Sequence, residues 1–138
     1  MTHSTPILRT VALLAVPLTL LVALQIFWQG HNLPGGGFIA GVMFAAAGAM
    51  YMMAFGREGV ARIPWWKVSI FGLFISLATG IVPLIRGREF MNHTAFNLHL
   101  PLLGDQHLTT ALFFDTGVLL IVIGTLMTIF VELSLERR

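Results

Sequence analysis

The sequence contains no cysteine. Disulfide frameworks, thiolate metal centres and quinone-linked disulfide chemistry are therefore excluded. Charge is nearly as scarce: of 138 residues, eight are Lys or Arg and six are Asp or Glu, 10% of the chain. A soluble domain ordinarily carries about 25% charged residues, because it must clothe itself in groups that water solvates. So few charges cannot do that. Hydrophobic residues make up 57% of the chain and the mean hydropathy is +0.86, so lipid rather than water is the expected solvent.

Other absences narrow the function. No Lys or Arg lies at the centre of an apolar run, and no run holds paired acids. There is no P-loop and no Ser/His/Asp or Cys/His arrangement. With neither a nucleophile nor a redox thiol, an enzyme is not expected, and no cofactor is implied. A complete ion pump or a stand-alone exporter needs a central charged residue, so the chain reads as one component of a larger device. The net charge of +2 and a pI of about 9.9 suggest a nucleic-acid partner, but the distribution does not. The basic residues sit at the ends of apolar runs, where they set membrane topology, and no basic patch is interleaved with aromatics.

Four apolar runs span Ile7 to Trp28, Phe38 to Phe55, Val68 to Ile85 and Ala111 to Val131. A bilayer core needs roughly 17–25 helical residues, and backbone amides in lipid must be paired within the segment. The expected fold is all-α, with four transmembrane helices in one domain, 1–138. The first run lacks a small-x-small cleavage site before Gly30, so it reads as a retained helix rather than a signal peptide. Pro6 suits a first helical turn, and Pro17 should kink the helix. With four spans, Arg9, Arg57, Arg62, Lys67, Arg137 and Arg138 share one side, against Arg86 and Arg88 on the other. Six against two puts both termini in the cytoplasm. Trp28 then marks the outer interface, and Trp65 and Trp66 the inner one. The outer connection, Arg86 to Thr110, is long for a bundle. It holds Phe90, Phe96, Leu98, Leu100, Leu102 and Leu103, so it reads as re-entrant, interfacial or packed on a partner.

Two features carry the candidate chemistry. The segment Gly30-His31-Asn32-Leu33-Pro34-Gly35-Gly36-Gly37-Phe38 cannot continue a helix. Its glycines allow positive φ or a close approach. Just before a helix, they leave that helix's first N–H groups and positive dipole end facing the loop, a seat for a carbonyl, carboxylate or anion. His31 and Asn32 stand at the same level. A tight turn between helices is the equal alternative. Gly37, Gly41, Ala45 and Ala49 recur every fourth residue and read as a close helix–helix contact, as do Gly117 and Gly124. Met43 and Met50 read as gap-filling core.

The second feature is Asp115, the one acid inside a span. It lies about 7 Å below the outer boundary by helical rise, where a charged carboxylate costs roughly 2.5–3.5 kcal/mol to insert. It reads as an ion or proton relay; the alternative is a residue that snorkels, caps a loop or pairs with Arg86 or Arg88. His93, His99 and His107 share the outer connection with Asp105. Their spacings of six and eight match no helical ligand face, so interfacial hydrogen bonding is expected there and no metal site. Glu58, Glu132 and Glu136 lie beside basic residues and read as solvated.

The run from Gly30 through Phe38 to Ile39, Ala40 and Gly41 closely resembles the hallmark segment of the B subunit (MrpB, or MnhB) of Mrp-type multisubunit Na+/H+ antiporters. Leu112-Phe113-Phe114-Asp115-Thr116-Gly117-Val118 resembles that family's second feature, an F-D-x-G-V run opening the last helix. The resemblance covers essentially the whole chain. A related domain occurs in membrane-bound hydrogenases and at the end of some large A subunits. The resemblance implies a small subunit of a secondary antiporter in the cell membrane, exchanging Na+ for H+ beside larger subunits that hold the proton-transfer residues. Its matching positions are His31, Asn32 and Asp115 as ion-path candidates. Gly30, Pro34, Gly35, Gly36, Gly37, Phe38, Gly41 and Gly117 would form the structural motif. A purely structural subunit, its glycines serving packing alone, is the rival reading.

Overall fold

The structure is a computed structural model that describes residues 5–30, 36–85, 95–100 and 104–136, without the side chains of 82–84, 95–100 and 104–111. Helix α1 runs Pro6–Gln29, α2 Gly36–Phe55, α3 Glu58–Ala61, α4 Trp65–Ile85 and α5 Thr110–Glu136, with strands β1 Ala95–Leu100 and β2 Gly104–Thr109 between α4 and α5. The four long helices cover the four apolar runs. By helical rise α2 is about 30 Å long and α5 about 40 Å, against a hydrocarbon core of about 30 Å. Among the described residues, three helices are long and apolar enough to cross a membrane: Pro6–Gln29, Gly36–Phe55 and Leu112–Glu136. In α4 the stretch Trp65–Ile81 is a shorter apolar helix.

Local chemistry explains where the helices start and stop. Thr5 caps α1, its hydroxyl accepting from the Leu8 amide at 3.3 Å, and Pro6 opens the first turn with no amide to satisfy. The helix runs on through Pro17. Gly56 ends α2 at φ +93°, its amide donating to the Met52 carbonyl at 3.0 Å, a left-handed stop that glycine adopts without steric cost. The short α3 is tied to α4 by the Trp65 indole, which donates to the Val60 carbonyl at 2.8 Å. Lys67 sets its ammonium 5.4 Å from the Trp66 ring centroid, a cation–π contact suited to an interface.

The connection between α4 and α5, whose conformation the sequence leaves open, contains an antiparallel two-stranded hairpin, with Ala95 opposite Thr109 and Leu100 opposite Gly104. The reason is in the pattern: Phe96, Leu98 and Leu100 alternate with Asn97 and His99, a period of two that suits a strand and not a helix.

The long helices pack as a row in the order α1, α2, α5, α4. The last helix of the chain thus lies between the second and the fourth. The core is made of small residues: Ala12, Ala23, Ala40, Ala45 and Ala54 are fully buried, and among the described residues no large side chain is. Ala40, Ala47 and Ala54, all buried, form a seven-residue stripe about 100° around α2 from Gly41. Large apolar side chains such as Leu14, Phe71 and Phe74 are turned outward.

Candidate functional site at the start of the second helix

The two features singled out in the sequence meet. Helix α2 begins at Gly36, whose φ of +67° lies in the left-handed region open mainly to glycine. Gly36 and Gly37 are both buried. Asp115, half-buried on α5, lies directly against them. A Cβ placed on Gly36 would lie 3.3 Å from Asp115 Oδ2, 3.7 Å from its Cγ and 3.8 Å from Oδ1. One placed on Gly37 would overlap the Asp115 carbonyl oxygen and lie 3.1 Å from the Leu119 amide nitrogen. The glycines are therefore the space in which the first turn of α2 touches the carboxylate turn of α5.

The stripe of small residues continues that contact. A Cβ on Gly41 would come within 2.9 Å of Val122 Cβ, and one on Gly48 within 2.7 Å of Met127 Sδ. Two members of the four-residue stripe, Gly37 and Gly41, thus face α5, as does Gly48, and Ala45 is fully buried on the same helix. Gly30, at the end of α1, abuts the Gly36 backbone so closely that no Cβ fits there either. Phe38 is 61% exposed. His31, Asn32, Pro34 and Gly35 lie outside the described residues, as do Arg86 and Arg88.

On its other side α5 is matched to α4 in the same way. A Cβ on Gly117 would lie 2.8 Å from the Gly72 carbonyl oxygen, and one on Gly72 would lie 2.6 Å from the Gly117 carbonyl oxygen. A Cβ on Gly124 would come within 2.6 Å of the Ser69 amide nitrogen. Polar groups bridge the same face. Ser69 donates to the Ile121 carbonyl at 3.4 Å and shares a hydrogen bond with Thr125 at 3.2 Å. Ser76, 8% exposed, reaches the Phe114 carbonyl at 3.5 Å, next to Asp115. Sequence reasoning missed this α4 face, although Ser69, Gly72, Ser76 and Gly80 recur at three- and four-residue steps.

Chemically, this places one carboxylate at the positive end of α2, where the first amides have no partner within their own helix. A carboxylate oxygen so placed is a donor for a hard cation or a proton. Among the residues whose side chains are described, no group of three His, Asp or Glu is arranged to hold a metal ion.

Comparison with known proteins agrees with this geometry. The family described as "Domain related to MnhB subunit of Na+/H+ antiporter" matches residues 7–128, which include both the glycine corner and Asp115. A protein named antiporter subunit mnhB2 from Staphylococcus haemolyticus (strain JCSC1435) is 40% identical over 131 residues, 93% of each chain. The one of the same name from Staphylococcus aureus (strain MRSA252) is 37% identical with the same coverage. Among solved structures, a chain of the Mrp complex from Dietzia sp. DQ12-45-1b is similar with a TM-score of 0.74 and 36% identity, over 88% of this chain and 13% of that longer one. The family match over residues 7–128 and the 40% identical relative show that the chain belongs to the MnhB family of multi-pass membrane proteins.

Proposed function

We propose that this chain is a non-catalytic membrane subunit of an Mrp-type multisubunit cation/proton antiporter, working in secondary active exchange of Na+ for H+. It would act beside the other Mrp subunits in the cell membrane. The names of its relatives and the Mrp complex it is similar to support that assignment. In this reading α4 is the fourth span, its 21 residues reaching about 31 Å. Both termini are cytoplasmic, as the six-to-two division of Lys and Arg argues.

Asp115 is the ion-path residue of this reading, and His31 and Asn32 flank the same corner in sequence. The observation that carries it is the Asp115 carboxylate set against Gly36 at the head of α2. An acid within a span costs enough to insert that its retention argues for use. In this reading Gly30, Gly36, Gly37, Gly41 and Gly117 supply the close backbone contacts, and Pro34, Gly35 and Phe38 belong to the same sequence motif. The test is Na+-dependent proton exchange in vesicles holding the assembled complex. Asp115→Asn is expected to assemble normally and to lower exchange at least tenfold, with Asp115→Glu retaining more. Unchanged exchange in Asp115→Asn would leave the purely structural reading, which the glycine stripes on both faces of α5 favour.

A further inference from the structure

We propose that the turn between α2 and α4 binds the phosphodiester of an anionic phospholipid through Arg57, Arg62 and Lys67. Residues 57–67 hold these three cations against one acid, Glu58, which leaves a net charge of +2. Arg62 and Lys67 are exposed and Arg57 is half-buried. Large apolar groups stand among them, with Trp66 55% exposed and Ile63 45%. Cations on long stems beside an indole suit the level at which hydrocarbon gives way to headgroups.

The backbone that carries these side chains is braced. The Ala61 amide donates to the Arg57 carbonyl at 2.7 Å, Trp65 to Ile63 at 2.9 Å and Lys67 to Pro64 at 3.0 Å. The Trp65 indole adds its bond to the Val60 carbonyl at 2.8 Å. Arg57 and Arg62 flank α3 with helical dihedrals, so helical rise sets them about 7.5 Å apart along its axis. A ligand that meets this turn has little backbone left to order, and ordering is a main cost of binding.

Arg57 carries the inference. Its Nη1 is buried without a hydrogen-bond partner, and a donor kept from water with no acceptor is costly. The guanidinium therefore gains by turning toward an oxygen from outside the chain, and its planar fork of donors matches two phosphate oxygens at once. A lipid fits better than a free anion, because its acyl chains also cover Trp66 and Ile63, which a small ion would leave wet. The charge selects among lipids. A zwitterionic headgroup brings its own ammonium against three cations, whereas an anionic one brings none, and each Lys or Arg near the surface adds to its attraction. Lys67, already 5.4 Å from the Trp66 ring centroid, stands at that same level. The inference stands apart from the role given to Asp115 and holds whichever side of the membrane this end faces.

The test places the assembled complex in phosphatidylcholine vesicles with a trace of phosphatidylglycerol that carries a photoreactive group beside its headgroup. Labelled residues are read by peptide mass spectrometry. Residues 55–67 should be labelled, and Arg57→Gln, Arg62→Gln and Lys67→Gln should each lower that labelling about fivefold. Labelling that is unchanged in the three variants overturns the proposal. Where a variant does not assemble, the unaltered complex answers alone: photoreactive phosphatidylcholine at the same level should label 55–67 at least fivefold less, and equal labelling by the two lipids overturns the proposal. Excess inorganic phosphate should not compete; if it abolishes the labelling, the turn holds a free anion and the lipid is refuted. Labelling elsewhere in the complex but none at 55–67, as when an acidic segment of a neighbouring subunit covers the turn, refutes it as well.

Discussion

Adding one methyl group in turn to Gly37, Gly41 and Gly48 of α2 and to Gly59 of α3 should give a graded series. At Gly37 the new carbon would overlap the Asp115 carbonyl oxygen and press on the Leu119 amide. Both neighbours are backbone, so neither can rotate away. Helices α2 and α5 must instead part until carbon and oxygen regain an ordinary contact of about 3.5 Å. Overpacking of this kind costs typically about 1–3 kcal/mol, and a rigid neighbour puts Gly37→Ala at the top of that range. Alanine returns about 1 kcal/mol through helix propensity, leaving a net loss of about 2 kcal/mol, or about thirtyfold in the α2–α5 docking equilibrium. Gly41→Ala should lose less, since its obstacle is the Val122 side chain, with Cβ at 2.9 Å. Gly48→Ala should be near neutral, because the Met127 thioether it meets is flexible. Gly59→Ala meets nothing within 4 Å and should gain slightly or be silent. The assay is the fraction of intact complex surviving a temperature ramp in mild detergent, read by size exclusion. Gly37→Ala surviving as well as Gly59→Ala would refute the direct backbone contact of α2 with α5.

The α4 face yields further expectations. Gly117→Leu, which must fit a branched side chain between the Gly72 carbonyl and Ser76, should abolish assembly, seen as loss of the complex on a native gel. Ser69→Ala removes the hydroxyl shared with Thr125 and Ile121; interhelical hydrogen bonds in membranes average about 0.6 kcal/mol, so the temperature ramp should shift only slightly, and Ser69→Ala with Thr125→Val should add little more. Thr5→Ala deletes the cap on α1 and should cost about 0.5–2 kcal/mol, visible as faster amide exchange at residues 7–9 with exchange elsewhere unchanged.

Much of this was legible in the sequence because lipid simplifies the reading. The four runs announce helices, since the bilayer leaves their backbones no other partner. The glycine corner and Asp115 stood out as residues that lipid makes expensive, and the fold brings those two together. Of the four-residue stripe Gly37, Gly41, Ala45 and Ala49, Gly37 and Gly41 lie against α5. The neighbour order did not follow from the sequence: apolar side chains surround every helix, so no amphipathic stripe says which face is inside. Ser69, Gly72 and Ser76 were overlooked because serine and glycine inside an apolar run look incidental until a facing Gly117 and Gly124 give them a partner. The hairpin was hidden for another reason. Composition marks this segment only as apolar, while the alternation of Phe96, Asn97, Leu98 and His99 is a signal of order.

What orders these helices is therefore the absence of side chains. Burial of apolar surface cannot choose between protein and lipid tails of equal polarity, so close packing has to choose. The choice is made on both sides of α5 within three residues. At Asp115 its backbone meets Gly37, and at Gly117 it meets Gly72. The turn that carries the carboxylate is thus gripped by two other backbones, with no flexible side chain between them to absorb a shift. A carboxylate on a loosely packed helix would swing toward water and lose its place. Held here, it keeps a fixed distance from the head of α2, and a helix displaced by one added methyl group carries the acid with it. Function and packing should accordingly fail together at Gly37, and separately at Asp115, where Asn keeps the shape and loses the charge.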